Sequence, residues 1–277
     1  MCKKILFVTL FLFSFSSISF CQQGKLDKGK ESLKDQKSTG NSGKRTSKSS
    51  RSTRNDPPIE NPLARILWFA AAYTAYGLAI ESPWEFNGNM HDAEISNYTY
   101  KEHRYGNFIY TDSMNYKIAR FDITNNFVRE SNNLYGNNLG VNFRFLKRFA
   151  LEVEYLYLTE NVNGVSDNFS MYSALLKYYR IRTQRFDAWF GLGVMHVGSN
   201  VDKTGFGLEF GAELFVAKPI SIDFSHKWTN INQQEVHKTK LLLKYHIKNY
   251  HISSGYEHFK IGVSKIKAFS IGVGASF

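Results

Sequence analysis

The feature that most constrains this chain is a two-residue alternation of apolar and polar side chains that recurs from Lys117 to Phe277. Successive side chains on a strand point to opposite faces, so such a segment carries one apolar and one polar face. Ten segments show it: Lys117–Arg129, Tyr135–Leu146, Ala150–Glu160, Phe169–Ile181, Asp187–Gly198, Gly205–Ala217, Ile220–Ile231, His237–Ile247, Tyr250–Ile261 and Lys267–Phe277. Each is close to the length of a tilted membrane-crossing strand, about 9–11 residues. In the sixth, Phe206, Leu208, Phe210, Ala212, Leu214 and Val216 oppose Gly207, Glu209, Gly211 and Glu213. Periodicity alone does not say which face points inward, and a soluble sandwich would show the same pattern.

Features outside the segments choose the membrane. Lys3 and Lys4 precede the apolar, hydroxyl-rich run Ile5–Phe20, and Ser19 and Cys21 stand where a leader peptidase would cut before Gln22. This reads as a secretory signal over residues 1–21. It is too short for a spanning helix. The two cysteines are Cys2 and Cys21, so a cut there removes both and with them any thiol chemistry or disulfide framework. The rival reading makes Cys21 a lipidated terminus, but bulky Phe20 stands where such signals carry a small residue.

Residues 22–59 form a basic, low-complexity spacer in which Leu26 and Leu33 are the only large apolar side chains of Gly24–Asp56. Disorder is expected there, because such a composition cannot bury a core. The segment holds +6 of the net charge of +11 and the leader +2, leaving +3 on the rest. The basicity thus belongs to a tail, and nucleic-acid binding is not expected. Residues 60–116 hold the uncharged run Ile66–Ile80, readable as a surface helix or as a wall strand, and then an Asn/Tyr-rich stretch readable as a loop.

Between the segments, short links such as Arg182–Phe186 and Lys218–Pro219 alternate with longer ones such as Asn161–Asn168 and Ser199–Thr204. Outer-membrane barrels alternate short periplasmic turns with longer outer loops in this way. In the last segment Phe269, Ile271, Val273, Ala275 and Phe277 alternate with small residues. This resembles the C-terminal insertion signal of bacterial outer-membrane proteins, which implies the barrel-assembly machinery as a partner. The stretches Arg182–Gln184, Ala188–Gly193, Thr204–Glu213, Lys218–Ile222, Leu243–Tyr250 and Gly255–Gly262 are similar to a group of uncharacterised outer-membrane barrel proteins of the Bacteroidetes type. That resemblance spans roughly Arg120 to Phe277 and implies fold and location, but no activity.

The expected architecture is all-β: a monomeric, antiparallel, up-and-down transmembrane barrel over residues 117–277, of about ten strands. Twelve are expected if Ile66–Ile80 and part of Asn107–Tyr116 join the wall, and eight if one hairpin has been split too many. Its polar face would place Arg120, Asp122, Arg144, Glu152, Glu154, Lys177, Glu209, Glu213, Asp223, Lys227, Lys238, Lys240, Lys244 and Glu257 in the lumen. In a barrel this narrow the charges can pair and plug the interior, or line a conduit for a small solute.

Catalysis is not expected. Glu257–Lys260 resembles the His-x-Ser of outer-membrane lipid A deacylases, but Lys260 stands where the serine nucleophile is needed. Ser225 and His226 are adjacent, so on a strand they face opposite ways. His226, His246, His251 and His258 form no metal-ligand spacing and read as girdle or loop residues, with no metal or cofactor implied. Tyr155, Tyr157, Tyr178, Trp189, Trp228 and Tyr245 read as girdle aromatics at the membrane boundaries. The expected setting is the bacterial outer membrane, with membrane lipid as a partner and any extracellular or periplasmic protein partner unspecified.

Overall fold

A computed structural model describes residues 24–34, 76–77, 93–101, 105–110 and 119–277. The leader expected over residues 1–21 lies outside them. Ten antiparallel strands close a barrel: β3 (Ala119–Arg129), β4 (Leu134–Phe145), β5 (Phe149–Val162), β6 (Val165–Arg182), β7 (Phe186–Val197), β8 (Lys203–Ala217), β9 (Ile220–Ile231), β10 (Gln234–Ile247), β11 (Tyr250–Ile261) and β12 (Ser264–Ser276). Each pairs with the next in sequence, and β12 returns to β3 in the register Phe269↔Arg129 to Ser276↔Asp122. Reciprocal backbone hydrogen bonds between Phe277 and Phe121 complete the seam. Closure leaves no exposed sheet edge, which a membrane does not tolerate.

The alternation resolves into an outer and an inner wall. Phe121, Ile123, Leu139, Leu192, Val194, Phe206, Phe210, Leu214, Leu241, Leu243, Ile271 and Val273 are exposed on the outside. Their strand neighbours Asp122, Glu209, Glu213, Lys227 and Lys238 are buried inside. An apolar exterior around a charged interior makes this a transmembrane barrel.

The wall has the ten strands expected, not twelve or eight: Phe108–Tyr110 does form a strand (β2), but it pairs with Ala93–Ile95 (β1) in a separate two-stranded sheet. Other expectations are corrected. Of Ile66–Ile80 only Tyr76 and Gly77 are described; they are helical, and Arg180 donates to the Gly77 carbonyl. The long outer loops are absent: the strands run on almost to the hairpin tips. Asn163-Gly164 and Asn232-Gln233 are two-residue turns with positive φ at both positions, the type I′ geometry that suits twisted hairpins. Both rims are therefore short. Finally, the supposedly disordered spacer contains a helix, α1 (Lys25–Leu33), whose Leu26 and Leu33 are fully buried.

Candidate functional site

The barrel interior is the candidate site, and three layers fill it. We call the rim formed by the β3–β4, β5–β6, β7–β8, β9–β10 and β11–β12 hairpins the helix rim, and the opposite one, where β3 starts and β12 ends, the hairpin rim.

At the helix rim the inner wall is apolar. Val128, Leu134, Leu156, Leu158, Phe169, Met171, Met195, Val197, Ile231, Val236, Phe259 and Ile261 form one core cluster with Leu26 and Leu33 of α1. Leu26, Gly29, Lys30 and Leu33 follow helical spacing, and all are buried. Gly29 lets the helix approach the wall: a Cβ there would lie 3.0 Å from the Ile261 carbonyl oxygen. Hairpin tips hold the helix in place. Lys25 Nζ lies 2.8 Å from Glu130 Oε1, Lys30 pairs with Asp167, and Asn232 Nδ2 donates to the Leu33 carbonyl at 2.6 Å. Glu160 Oε2 accepts from the Leu26 N–H at 2.7 Å, where a carboxylate also suits the positive end of the helix.

The middle layer is charged. All fourteen lumen groups named from the sequence lie on the inner wall or line its cavity. Lys227 sits between Glu152 and Glu154, and Lys238 pairs with Glu154 and lies 3.6 Å from Glu257. Lys177 pairs with Glu152 and lies 3.0 Å from Glu209. Lys244 pairs with Asp223 and lies 3.4 Å from Glu213. Asp122 takes Arg120 Nε at 2.7 Å, Arg144 Nε at 3.2 Å and the Ser276 hydroxyl at 2.6 Å. Lys240 lines the remaining cavity, which measures about 80 Å³. That volume holds a handful of water molecules. Asp187 and Arg182 are also buried, and with them eight acidic and eight basic side chains of the barrel strands fill this region among the described residues, while Glu160, Lys30 and Glu94 are buried nearer the two rims.

The third layer is the β1–β2 hairpin, seated in the hairpin rim. Asn107 ties it to the charged layer with every hydrogen-bonding position used. Its Nδ2 donates to Asp187 Oδ2 at 3.1 Å and Glu213 Oε2 at 2.9 Å, and its Oδ1 accepts from Arg120 Nη2 at 3.0 Å and Thr99 Oγ1 at 2.7 Å. Ala93, Ile95 and Phe108 pack on Ala150, Tyr179 and Trp189. The Tyr100 hydroxyl donates to the Ile220 carbonyl at 2.6 Å. Burial, then the nearby Glu213 charge, raise the Tyr100 pKa well above the ordinary phenol value and keep that proton in place.

Some placements differ from the sequence reading. Trp189 belongs to the interior, where its Nε1 donates to Glu209 at 3.1 Å, rather than to a girdle. His246 and His251 are likewise buried, and His246 Nε2 lies 2.8 Å from the Ser221 hydroxyl. Tyr157, Trp228 and Tyr245 are exposed on the outer wall. Ser225 is buried inside while its neighbour His226 faces outward against Phe210. Asp187 was legible by phase, since it alternates with Ala188, Phe190 and Leu192. Asn107 carried no strand signal and was not. Among the described residues, no three or more His, Cys, Asp or Glu side chains are grouped to hold a metal ion.

No protein-family model matches the chain, and no curated protein matches it. Solved membrane barrels do. The Yersinia pestis outer membrane protein Ail is 15% identical over 57% of this chain and 99% of its own, with a TM-score of 0.33. An outer membrane channel from Pseudomonas putida F1 is 7% identical over 61% of this chain and 100% of its own, with a TM-score of 0.37. The NanC porin is 10% identical over 57% of this chain and 98% of its own, with a TM-score of 0.38.

Proposed function

We propose that this chain is a sealed outer-membrane barrel with a structural or surface-interaction role, and that it neither conducts solutes nor catalyses a reaction. The observation that carries the reading is the three-layer filling of the lumen. A conduit needs a continuous polar path, whereas here an apolar core with a docked helix closes one end and a hydrogen-bonded hairpin closes the other. The charged layer between them is balanced in number and largely paired, so it needs no mobile counter-ion.

The same reading places the hairpin rim in the periplasm, as the ten-strand parity implies, and the helix rim at the outer leaflet. Export through a leader over residues 1–21, recognition of Phe269, Ile271, Val273, Ala275 and Phe277 by the assembly machinery, a monomeric state and kinship with the Bacteroidetes-type barrels belong to this proposal. With both rims short, a protein partner would meet the rim, the outer end of α1 or the barrel wall rather than long loops.

Liposome swelling tests the reading. Vesicles carrying the folded chain are expected to exclude arabinose and glycine as well as protein-free vesicles do. Swelling in either solute would favour the narrow-channel alternative. Cysteine labelling of intact cells tests the orientation: Asn132→Cys should react and Lys248→Cys should not, and the reverse pattern would invert the barrel.

A further inference from the structure

The outer wall carries one feature that sealing the lumen does not explain. Most of the wall is apolar, but on β9 to β12 and β3 it turns basic at the helix rim. On β12 the outward residues run Lys265, Lys267, Phe269, Ile271, Val273; on β11 they run Lys260, His258, Tyr256. In the ladder Lys260 stands directly opposite Lys265, and His258 directly opposite Lys267. Directly opposed side chains have Cβ atoms about 4.5–5.5 Å apart, and like charges there repel. His237 is next to Lys260 across β10, and Arg129 lies opposite Phe269 on β3.

The two carboxylates at the patch are already engaged: Glu235 pairs with Lys260 at 2.5 Å and lies 3.3 Å from His237, and Glu130, whose Oε1 accepts from the Lys267 backbone N–H at 3.0 Å, pairs with Lys25 of the plug helix. Among the described residues, Lys265 and Lys267 form no ion pair, and the enclosed Nε2 of His258 has no hydrogen-bond partner.

The depth of the patch suggests what it meets. Tyr256 and Phe269, paired across the ladder two residues further along the wall than His258 and Lys267, have Phe127 beyond them and Trp228 on the rung of His237 and Lys260, aromatics placed as in a girdle at the membrane–water boundary. The basic groups above Tyr256 and Phe269 lie at headgroup level. Directly below, a groove of about 570 Å³ runs along the wall between Phe127, Tyr135, Tyr157, Ile252, Ile271 and Val273. Ile271 is four residues from Lys267 on the same face of β12, so an apolar groove continues from the basic patch into the membrane.

We infer that this surface is a lipid site: the Lys260, Lys265, Lys267 and His258 cluster takes the phosphate of a phosphomonoester-bearing glycolipid, and the groove takes one of its acyl chains. The charge count selects the headgroup. Lys265 and Lys267, which have no ion-pair partner among the described residues, present two positive charges, and a phosphomonoester, which carries roughly −1.5 to −2 at pH 7, matches them better than the single negative charge of a phosphodiester. Most cations of the opposite rim are engaged elsewhere, which leaves only Lys248 of the β10–β11 turn among the described residues: Lys147 pairs with Glu94, Arg148 lies over the Tyr178 ring, and Arg185 and Lys218 lie over Tyr105. The assignment to an outer-leaflet lipid rests on the orientation proposed above.

The test is a lipid titration of the full folded chain in detergent, read by native mass spectrometry. The probes are bisphosphorylated lipid A, dephosphorylated lipid A and phosphatidylglycerol. Bisphosphorylated lipid A is expected to bind about tenfold or more tightly than either of the others, the order of effect that two lysines supply at a lipid surface. Lys265→Ser/Lys267→Ser, and each single substitution run beside it, should erase that preference. Lys218→Ser/Lys248→Ser at the other rim should leave it intact. Heat-dependent gel mobility shows that each variant is folded. Equal binding of phosphatidylglycerol, equal binding of dephosphorylated lipid A, or an unchanged preference in the lysine variants would each overturn the assignment. Any of these results would leave the sealed lumen and the orientation standing, since solute exclusion and cell labelling read those separately.

Discussion

Asn107 Nδ2 lies 2.9 Å from Glu213 Oε2, and this bond joins a segment outside the barrel wall to the charges inside it. The same amide reaches Asp187, so one side chain separates two buried carboxylates that would otherwise face each other. The hairpin is thereby a structural part of the lumen rather than a loop resting on it.

Asn107→Ala should release that hairpin while the barrel stays closed. It leaves Asp187, Glu213, Arg120 and Thr99 each short of a partner, at about 1–3 kcal/mol for each buried group left unsatisfied. Hydrogen exchange over residues 93–110 should accelerate, with little change in strands β4 to β8. Unchanged exchange would mean that apolar packing alone holds the hairpin.

Glu154→Ala removes the carboxylate shared by Lys227 and Lys238 and leaves two buried ammonium groups facing each other. Breaking a buried pair from one side costs about 3–5 kcal/mol. The midpoint of urea unfolding in detergent micelles should fall accordingly. The double change Glu154→Leu/Lys227→Met should recover most of the loss, because it leaves Glu152 with Lys177 and Lys238 with Glu257, and buried ion pairs stabilise little over well-packed apolar groups. A single variant as stable as the parent would show that water reaches this layer freely.

Gly29→Leu should unseat α1. The added side chain would meet the Ile261 backbone at a point where even one carbon is tight. Displacing Leu26 and Leu33 forfeits about 1.5–3 kcal/mol of burial for each. Trypsin should then cut at Lys28 and Lys30 in the variant and spare them in the parent, with the gel mobility of the barrel unchanged. Equal cleavage of both would mean that the helix is not docked in solution.

The wall was almost wholly legible in the sequence, because alternation at period two is imposed by lipid on one side and buried charge on the other. Glu209, Glu213 and Lys227 could be placed inside by phase alone. What the phase concealed is that the inner wall is itself divided. Phe169, Met171, Met195 and Val197 face inward at the helix rim and read like any other apolar strand residues. Their partner is α1, and its signal was only Leu26 and Leu33 seven residues apart in a run that is otherwise polar or charged. Composition argued for disorder there, and tertiary docking overrode it. Asn107 was illegible for a related reason: it stands just before a short strand that pairs with residues outside the barrel wall. The hairpin tips were misjudged as loops because Asn163-Gly164 and Asn232-Gln233 lie in polar stretches whose flanks continue the strands.

Single-channel recording of the folded full chain in a planar bilayer tests the sealed lumen most directly. The account predicts a silent membrane across the voltages at which a narrow barrel would conduct, for the parent and also for Gly29→Leu, because the charged layer and the β1–β2 hairpin still close the interior when the helix leaves. Discrete steps from the parent, diminished by Glu209→Gln or Lys240→Gln, would contradict it and make the charged layer a pathway.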